Sequence, residues 1–446
     1  MGVRREPFES SMNQHSVKFT ADLLTADSTS VAYSTEDWLK KYQLEARAHL
    51  EKCSLPTTAE EEWRFTDLTA LYKSNLTPPA LDEPIDASVA KSFLIPEAIS
   101  SVVLLNGVYS SSLSTVSSDQ TKIRVCNMAS AMNDAQLNAS LKRRFNSLEG
   151  DGVSGFCEMN TALFKDAVVI HANSNSSSFE TIHVLNISTG KHTFNHPRLL
   201  VIAEEQAKVC VLEDYIGIGG FGYMTNAVSE FSLAAESQVI HVKLQRDDDS
   251  AFHIAHTHVG VDQSASYQNW SVSVGAAVSR HNLVTRQREE GGHIAIKGLA
   301  LGHDKRIVDT HSCIEHTKPH GQSVQVHKTI AGDRSKVVFN GKVKVQRGAQ
   351  QTNSSQQNRN LLLSARASVD AKPELEIFAD DVKCAHGATV GQVSEDELFY
   401  LKSRGLNDDL ARNLLNYAFA REVIEDLPIK SLGAVIESYI RDQTKT

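Results

Sequence analysis

Cys384 and His386 stand two residues apart in the run Phe378-Ala-Asp-Asp-Val-Lys-Cys384-Ala-His386-Gly-Ala-Thr-Val-Gly391, just after the paired carboxylates Asp380 and Asp381. In an extended segment residues i and i+2 share a face, so this thiol and imidazole can meet one soft metal together. Two donors do not close a tetrahedral site, and the remainder must come from elsewhere in the chain or from a second subunit. The alternative is a packed thiol beside a hydrogen-bonded ring. Two further groups have ligand-like spacing. His253-x-x-His256-x-His258 puts His256 and His258 on one face of a strand, but no Cys, Asp or Glu within the segment fixes the rings, which reads better as solvated or turn-bonded histidines. Around His311, Cys313, Glu315, His316 and His320, alternation places His311, Cys313 and Glu315 together, a set suited to metal or, through Cys313 beside Ile314, to packing.

Gly217-Ile-Gly219-Gly-Phe-Gly222 matches G-x-G-x-x-G and follows the apolar run 209–212. The sequence after it alternates like a strand through Val228, Phe231 and Leu233 instead of opening a helix. Without a helix N-terminus there is no anion site, so this is a glycine-rich turn. No G-x-x-x-x-G-K-[ST] occurs, and the chain is expected to bind no nucleotide itself.

The elements that must position these residues fall into three regions. Residues 1–34 are polar and rich in Ser and Thr, and read as a flexible tail; residues 35–161 form a mixed, largely helical domain. There Ser34-Thr-Glu-Asp-Trp38 opens an amphipathic helix toward Cys53, two aromatics anchor Glu61-Glu-Trp-Arg-Phe-Thr-Asp67, residues 101–107 form a buried strand and turn, and 133–145 is helical. Over 162–392 short strands replace helices. Period-two alternation recurs in Ile240/Val242/Leu244, Val272/Val274, Ile294/Ile296, Val324/Val326 and Val343/Val345, at a spacing of roughly 10–16 residues with no helical period between. A sandwich, a propeller or a parallel β-helix would satisfy that rhythm. The lack of blade signatures favours the β-helix, whose open ends the flanking regions would cover.

Residues 393–446 are helical. Ser394-Glu-Asp-Glu397 is a capping box with Gly405 as the stop, and a second helix from Asn407 carries Leu410, Leu414, Tyr417, Ala418 and Val423 along one side. A third places Leu432, Val435, Ile436, Tyr439 and Ile440 at i, i+3, i+4, i+7 and i+8, a stripe more often core than interface.

Composition narrows the function classes. The chain has 446 residues and a formal net charge of −9, with no Lys/Arg cluster interleaved with aromatics, which argues against nucleic acid. Its six cysteines (Cys53, Cys126, Cys157, Cys210, Cys313, Cys384) include no Cys-x-x-Cys and suit a reducing compartment. No apolar run reaches the ~18 residues of a membrane span and no secretory signal is visible, so a soluble protein with no membrane partner is expected.

Several runs together resemble the SufB/SufD family of iron–sulfur cluster assembly scaffolds: Glu315-His-Thr-Lys-Pro-His320, Val338-Phe-Asn-Gly-Lys-Val343, Gln350-Gln-Thr-Asn353, Asn358-Arg-Asn-Leu-Leu-Leu-Ser364, Lys372 through Gly391, and Leu398-Phe-Tyr-Leu-Lys-Ser-Arg-Gly405. The match is dense over 309–421, and Glu61 to Asp67 resembles the SufD branch in particular. The resemblance implies a mainly β fold: a right-handed parallel β-helix core between an N-terminal α/β, largely helical domain and a C-terminal helical domain. It implies a non-catalytic scaffold that works as a heteromer with SufB and the ATPase SufC, the latter bound through the C-terminal helices, and it allows a homodimer without SufB. It makes Cys384 and His386 ligands of a transient iron–sulfur cluster at the SufB interface, with SufB supplying the others. His386 ranks first, because imidazole holds iron while remaining exchangeable. The compartment implied is bacterial cytoplasm, that of a cyanobacterium included, or plastid stroma. Two rival readings stay open: a structural partner of SufB that gives no ligand, and a β-helix enzyme acting on polysaccharide.

Overall fold

In the computed structural model, residues 6–26, 37–80, 85–146, 154–219 and 222–442 are described. The N-terminal region holds α1 (Glu6–Ala26), α2 (Asp37–Leu50), α3 (Thr69–Tyr72), α4 (Ala87–Ser92), β1 (Ala98–Leu105), β2 (Val108–Tyr109), β3 (Ile123–Asn127), α5 (Met128–Met132), α6 (Ala135–Arg144) and α7 (Gly155–Leu163). Strands then follow one another: β4 (Ala167–Ala172), β5 (Thr181–Ser188), β6 (Phe194–Asn195), β7 (Arg198–Ala203), β8 (Lys208–Gly217), β9 (Met224–Leu233), β10 (Gln238–Arg246), β11 (Phe252–Val261) and β12 (Ser266–Ser273). The series continues through β13 (Val278–Gln287), β14 (His293–Gly302), β15 (Ile307–His316), β16 (Gln322–Ala331), β17 (Lys336–Val345), β18 (Asn353–Leu362), β19 (Ser368–Ile377) and β20 (Lys383–Gln392). Three helices close the chain: α8 (Glu395–Ser403), α9 (Asp408–Ile424) and α10 (Ser431–Asp442).

Successive strands alternate between two sheets. One runs β2-β1-β5-β8-β10-β12-β14-β16-β18-β20 and the other β3-β4-β7-β9-β11-β13-β15-β17-β19. Every strand from β7 onward pairs in parallel with the strand one coil away, so the fold is a parallel β-solenoid of about eight coils. Along the first sheet Gln238 pairs Ser266, then His293, Gln322, Asn353 and Lys383, one coil every 27–31 residues. The register stacks like on like. Val209, Val239, Tyr267 and Ile294 form one buried inward column, each removing on the order of 1.5–3 kcal/mol of apolar surface from water. Corners are tied coil to coil by backbone bonds such as Glu236 N to Gln263 O (2.8 Å) and Ser264 N to Glu290 O (2.9 Å).

The lumen changes character along its length. Its first coils are filled by Val, Ile, Leu and Phe, whereas near the end Ser323, Gln325, His327, Ser354, Gln356, Asn358 and Asn360 are buried instead.

Two boundaries differ from the sequence expectation. Most of the supposed tail is α1, whose Phe19 and Leu23 are buried against Leu50, Trp63 and Tyr72. Its apolar positions are sparse among Ser and Thr, and become a stripe only when that surface is present to receive them. The sheet also does not begin near 162, because β1 lies parallel to β5.

Candidate functional site

Cys384 and His386 both lie on β20, the last strand of its sheet. In the ladder Cys384 is in register with Ser354 and His386 with Gln356, so both face the lumen side of the final coil. Among the described residues no strand covers the outer edge of β20 or of β19. Nine of the ten β20 residues, all but Cys384, are exposed, and side chains added at Gly387 or Gly391 would meet open space. Cys384 is half-buried against the cluster of Val343, Val345, Ala349 and Ala379, and burial pushes its thiol up while a backbone hydrogen bond at Ser354 pulls the other way. His386 is exposed.

The other two groups are paired internally. His253 faces the lumen, bonding Asp247 (2.9 Å) and Lys243 Nζ (2.9 Å). His256 and His258 share the outer face of β11, stacked at 6.5 Å, beneath the start of α7: His256 Nε2 meets Ser154 Oγ at 2.8 Å and His258 Nε2 lies 3.6 Å from Cys157 Sγ. These rings are buried, not solvated, since α7 covers a face that alternation alone leaves open. Burial holds His258 down at about 4.

His311, Cys313 and Glu315 do share an outward face, as alternation predicts. His311 bonds Asp309 (3.0 Å) and Glu62 (3.3 Å), and Glu315 meets Arg286 (3.3 Å) and Gln346 (2.8 Å). The bond from His311 holds the Glu62 carboxyl down at about 2. Burial alone would raise Asp309, but Arg280 and His311 outweigh it and keep that carboxyl at about 2. This is a clamp for the N-terminal region. Arg280 lies 3.7 Å over the Trp63 ring, donates to Glu62 O (2.7 Å) and pairs Asp309 (2.7 Å), which explains why Glu61 to Asp67 needs its aromatics. A cleft of about 580 Å³ remains between this segment and the sheet, reached by His311, Cys313, Asn340 and Lys342.

The helices after β20 divide into a packed and an open part. Leu432, Ile436 and Ile440 of α10 are buried with Val423 and Ile424 of α9 against Leu212, Val242 and Leu244. The expected α9 stripe is corrected: Ala411, Ala420, Val423 and Ile424 form its buried face, while Leu410 (55 %) and Leu414 (47 %) are exposed. Phe399 (74 %) and Tyr400 (57 %) on α8 are exposed as well. Four large apolar side chains on two adjacent short helices were not singled out from the sequence as a surface. No local signal marks them, because Leu410 and Leu414 keep a helical spacing of their own and only the coil beneath α9 decides which face is covered.

A family model described as the SufBD core domain of SUF-system iron–sulfur cluster assembly matches residues 185–419, and one for the SufBD protein N-terminal region matches 14–184. The chain belongs to the SufBD family. An iron–sulfur cluster assembly SufBD family protein of Synechocystis sp. is 36 % identical over 446 aligned residues, covering 96 % of this chain and 97 % of the relative. The iron–sulfur cluster assembly protein SufD of Escherichia coli is 29 % identical over 391 residues, 86 % of this chain and 88 % of that protein. A chloroplastic protein of Arabidopsis thaliana is 30 % identical over 426 residues, 93 % of this chain and 88 % of the relative. For a SufBD protein the cluster is cargo, and the donor types on β20 suit it, thiolate and imidazole both being iron ligands. Among the described residues no group of three or more His, Cys, Asp or Glu side chains is arranged to hold a metal ion. The pair on β20 by itself offers at most two donors.

Proposed function

We propose that this chain is a SufD-type, non-catalytic scaffold subunit that builds iron–sulfur clusters with SufB and the ATPase SufC, in a bacterial cytoplasm or a plastid stroma. The observation that carries this reading is the terminal strand β20: an uncovered parallel edge presents Cys384 and His386 together, in a chain of the SufBD family. A partner subunit with a similar open coil would extend both sheets and add the missing donors. The exposed residues of α8 and α9 are the proposed seat of SufC. α9 and the turn after it are tied to β14, β16 and β18 through Lys297–Asp426, Lys328–Glu422 (2.7 Å) and Arg359–Glu422 (3.5 Å), and β18 pairs with β20, so a nucleotide-driven movement of the ATPase would reach the terminal strand. That movement strains the subunit contact and opens it to iron and sulfide.

The half-buried state of Cys384 favours a second reading for that residue alone, a structural thiol, with His386 the chain's one ligand. The test is cluster yield in the complex assembled with both partners. We expect the Cys384→Ala, His386→Ala double variant to lose most of the cluster absorbance and His386→Ala to account for most of that loss. Normal cluster formation by a fully assembled double variant would sink the ligand role and leave a purely structural subunit.

A further inference from the structure

Gln356 lies one ladder rung below His386 on the same inward face, and Gln325 one rung below Gln356. Gln356 is 1 % exposed, yet neither its Nε2 nor its Oε1 has a hydrogen-bond partner among the described residues. Other buried amides in these coils are at least partly engaged: Gln325 Nε2 donates to Ser312 Oγ, Asn360 Nδ2 to Thr389 O (3.0 Å), and Asn358 Oδ1 accepts from Asn360. Space for Gln356 has been made deliberately. Across the lumen stands Gly341, where a Cβ would run into Gln356 Nε2 and stand 2.6 Å from Phe339 Cζ. The fold thus gives up a side chain on β17 to admit an amide that it leaves unpaired. Burying an unpaired amide is unfavourable, whereas an apolar side chain of similar size would bury without that penalty. Two neighbours one strand spacing away have capacity to spare: Gln325, whose Oε1 is itself unpaired, and the imidazole of His386, which alone of the two offers both a donor and an acceptor and stands at the open coil.

We infer that Gln356 is a positioning residue for His386: its amide fixes the tautomer and plane of the imidazole, so that the opposite ring nitrogen is presented at the open coil. This rests on the reading of His386 as a cluster ligand. Ligating histidines generally need such a partner on their second nitrogen, and the neutral amide supplies one without adding charge to the site.

The test uses the full-length chain with ¹⁵N-labelled histidine, the His386 signals being identified by their loss in His386→Gln. At alkaline pH, where imidazoles are neutral, ring nitrogen shifts report the tautomer ratio. We expect one strongly favoured tautomer in the wild type, and a change of about tenfold in the ratio in Gln356→Leu, the size of one lost hydrogen bond. Gln356→Glu, which keeps an acceptor, restores the bias. If Gln356→Leu does not fold, Gln356→Asn, with its amide drawn back by one methylene, is read instead. A tautomer ratio unchanged between the wild type and the folded variant overturns the inference. In the complex with both partners, the nitrogen hyperfine coupling of the reduced cluster is then expected to shift in Gln356→Leu. A tautomer change with no nitrogen coupling in any sample would retain the His386–Gln356 contact and remove the ligand reading, so the two ideas fail separately.

Discussion

The residues with ligand-like spacing divide by what surrounds them. Cys384 and His386 face an open coil, while His253, His256, His258 and His311 are spent on contacts within the fold. Buried neutral imidazoles give the fold a defined acid limit. Burial depresses His196 and His327 to about 3 and His316 to about 4, against 6.5 in the unfolded chain. The unfolded state therefore takes up protons first, and stability falls as pH drops below about 6.5, by about 1.4 kcal/mol per pH unit for each such ring until its folded value is reached. Asp309 and Glu62 act further down: their folded values near 2 lie below 3.8 and 4.5, so their contribution is complete above the unfolded values and is lost as pH falls from about 4 toward 2. Urea midpoints measured from pH 7 to pH 4 are expected to decline steeply. A flat profile would mean that these rings are protonated in the folded chain.

At the scale of elements, the C-terminal helices do two different jobs. The i, i+3, i+4 stripe of α10 is core, and Ile436→Ala is expected to destabilise by about 2–5 kcal/mol through lost burial and a cavity against the solenoid. Phe399→Ser with Leu410→Ser removes only exposed apolar surface, so thermal stability stays within about 0.5 kcal/mol of the wild type. The same double variant should lose SufC in pull-down experiments while keeping SufB. Full retention of the ATPase would move its seat off α8 and α9. Capping chemistry was readable here directly: Ser394 Oγ accepts from Glu397 N, Asn407 Oδ1 from Leu410 N, and Gly405 takes φ +93° where the first helix stops.

For the whole molecule, the decisive feature is that a solenoid ends without closing. One end is blunted by the antiparallel strands β2 and β3, and the other exposes β19 and β20. Such an edge is a template for pairing with another chain, and the proposed function predicts that a second copy of this chain takes the place when SufB is absent. Lys383 N bonds Thr352 O (2.8 Å), so by alternation the N–H groups of Cys384, His386 and Ala388 point to the open edge. Ala388→Pro removes one of these without costing a bond to β18. Sedimentation should show the wild type self-associating and this variant shifted toward monomer with its melting temperature little changed. An unshifted distribution would exclude edge pairing as the contact.

Strand rhythm, helix caps and the Cys384/His386 pair were legible because each depends on spacing of 2 or 3.6 residues within a short window. The family resemblance over 309–421 added what that rhythm left undecided between a sandwich, a propeller and a β-helix. What remained hidden involved surfaces contributed by distant segments. Nothing local to His256 and His258 announces α7 above them, nothing in the Ser- and Thr-rich start announces that Phe19 will meet Tyr72, and the phase of α9 is set by the coil it lies on. Gln356 is the sharpest case. Its type and position are unremarkable in sequence, and only the stacking of Gln325, Gln356 and His386 in one column, with Gly341 facing them, gives it a role. The sequence by itself determined which side chains are available and how they alternate, since those follow from backbone geometry. The tertiary structure decided which of them are covered, because burial depends on what packs from elsewhere in the chain.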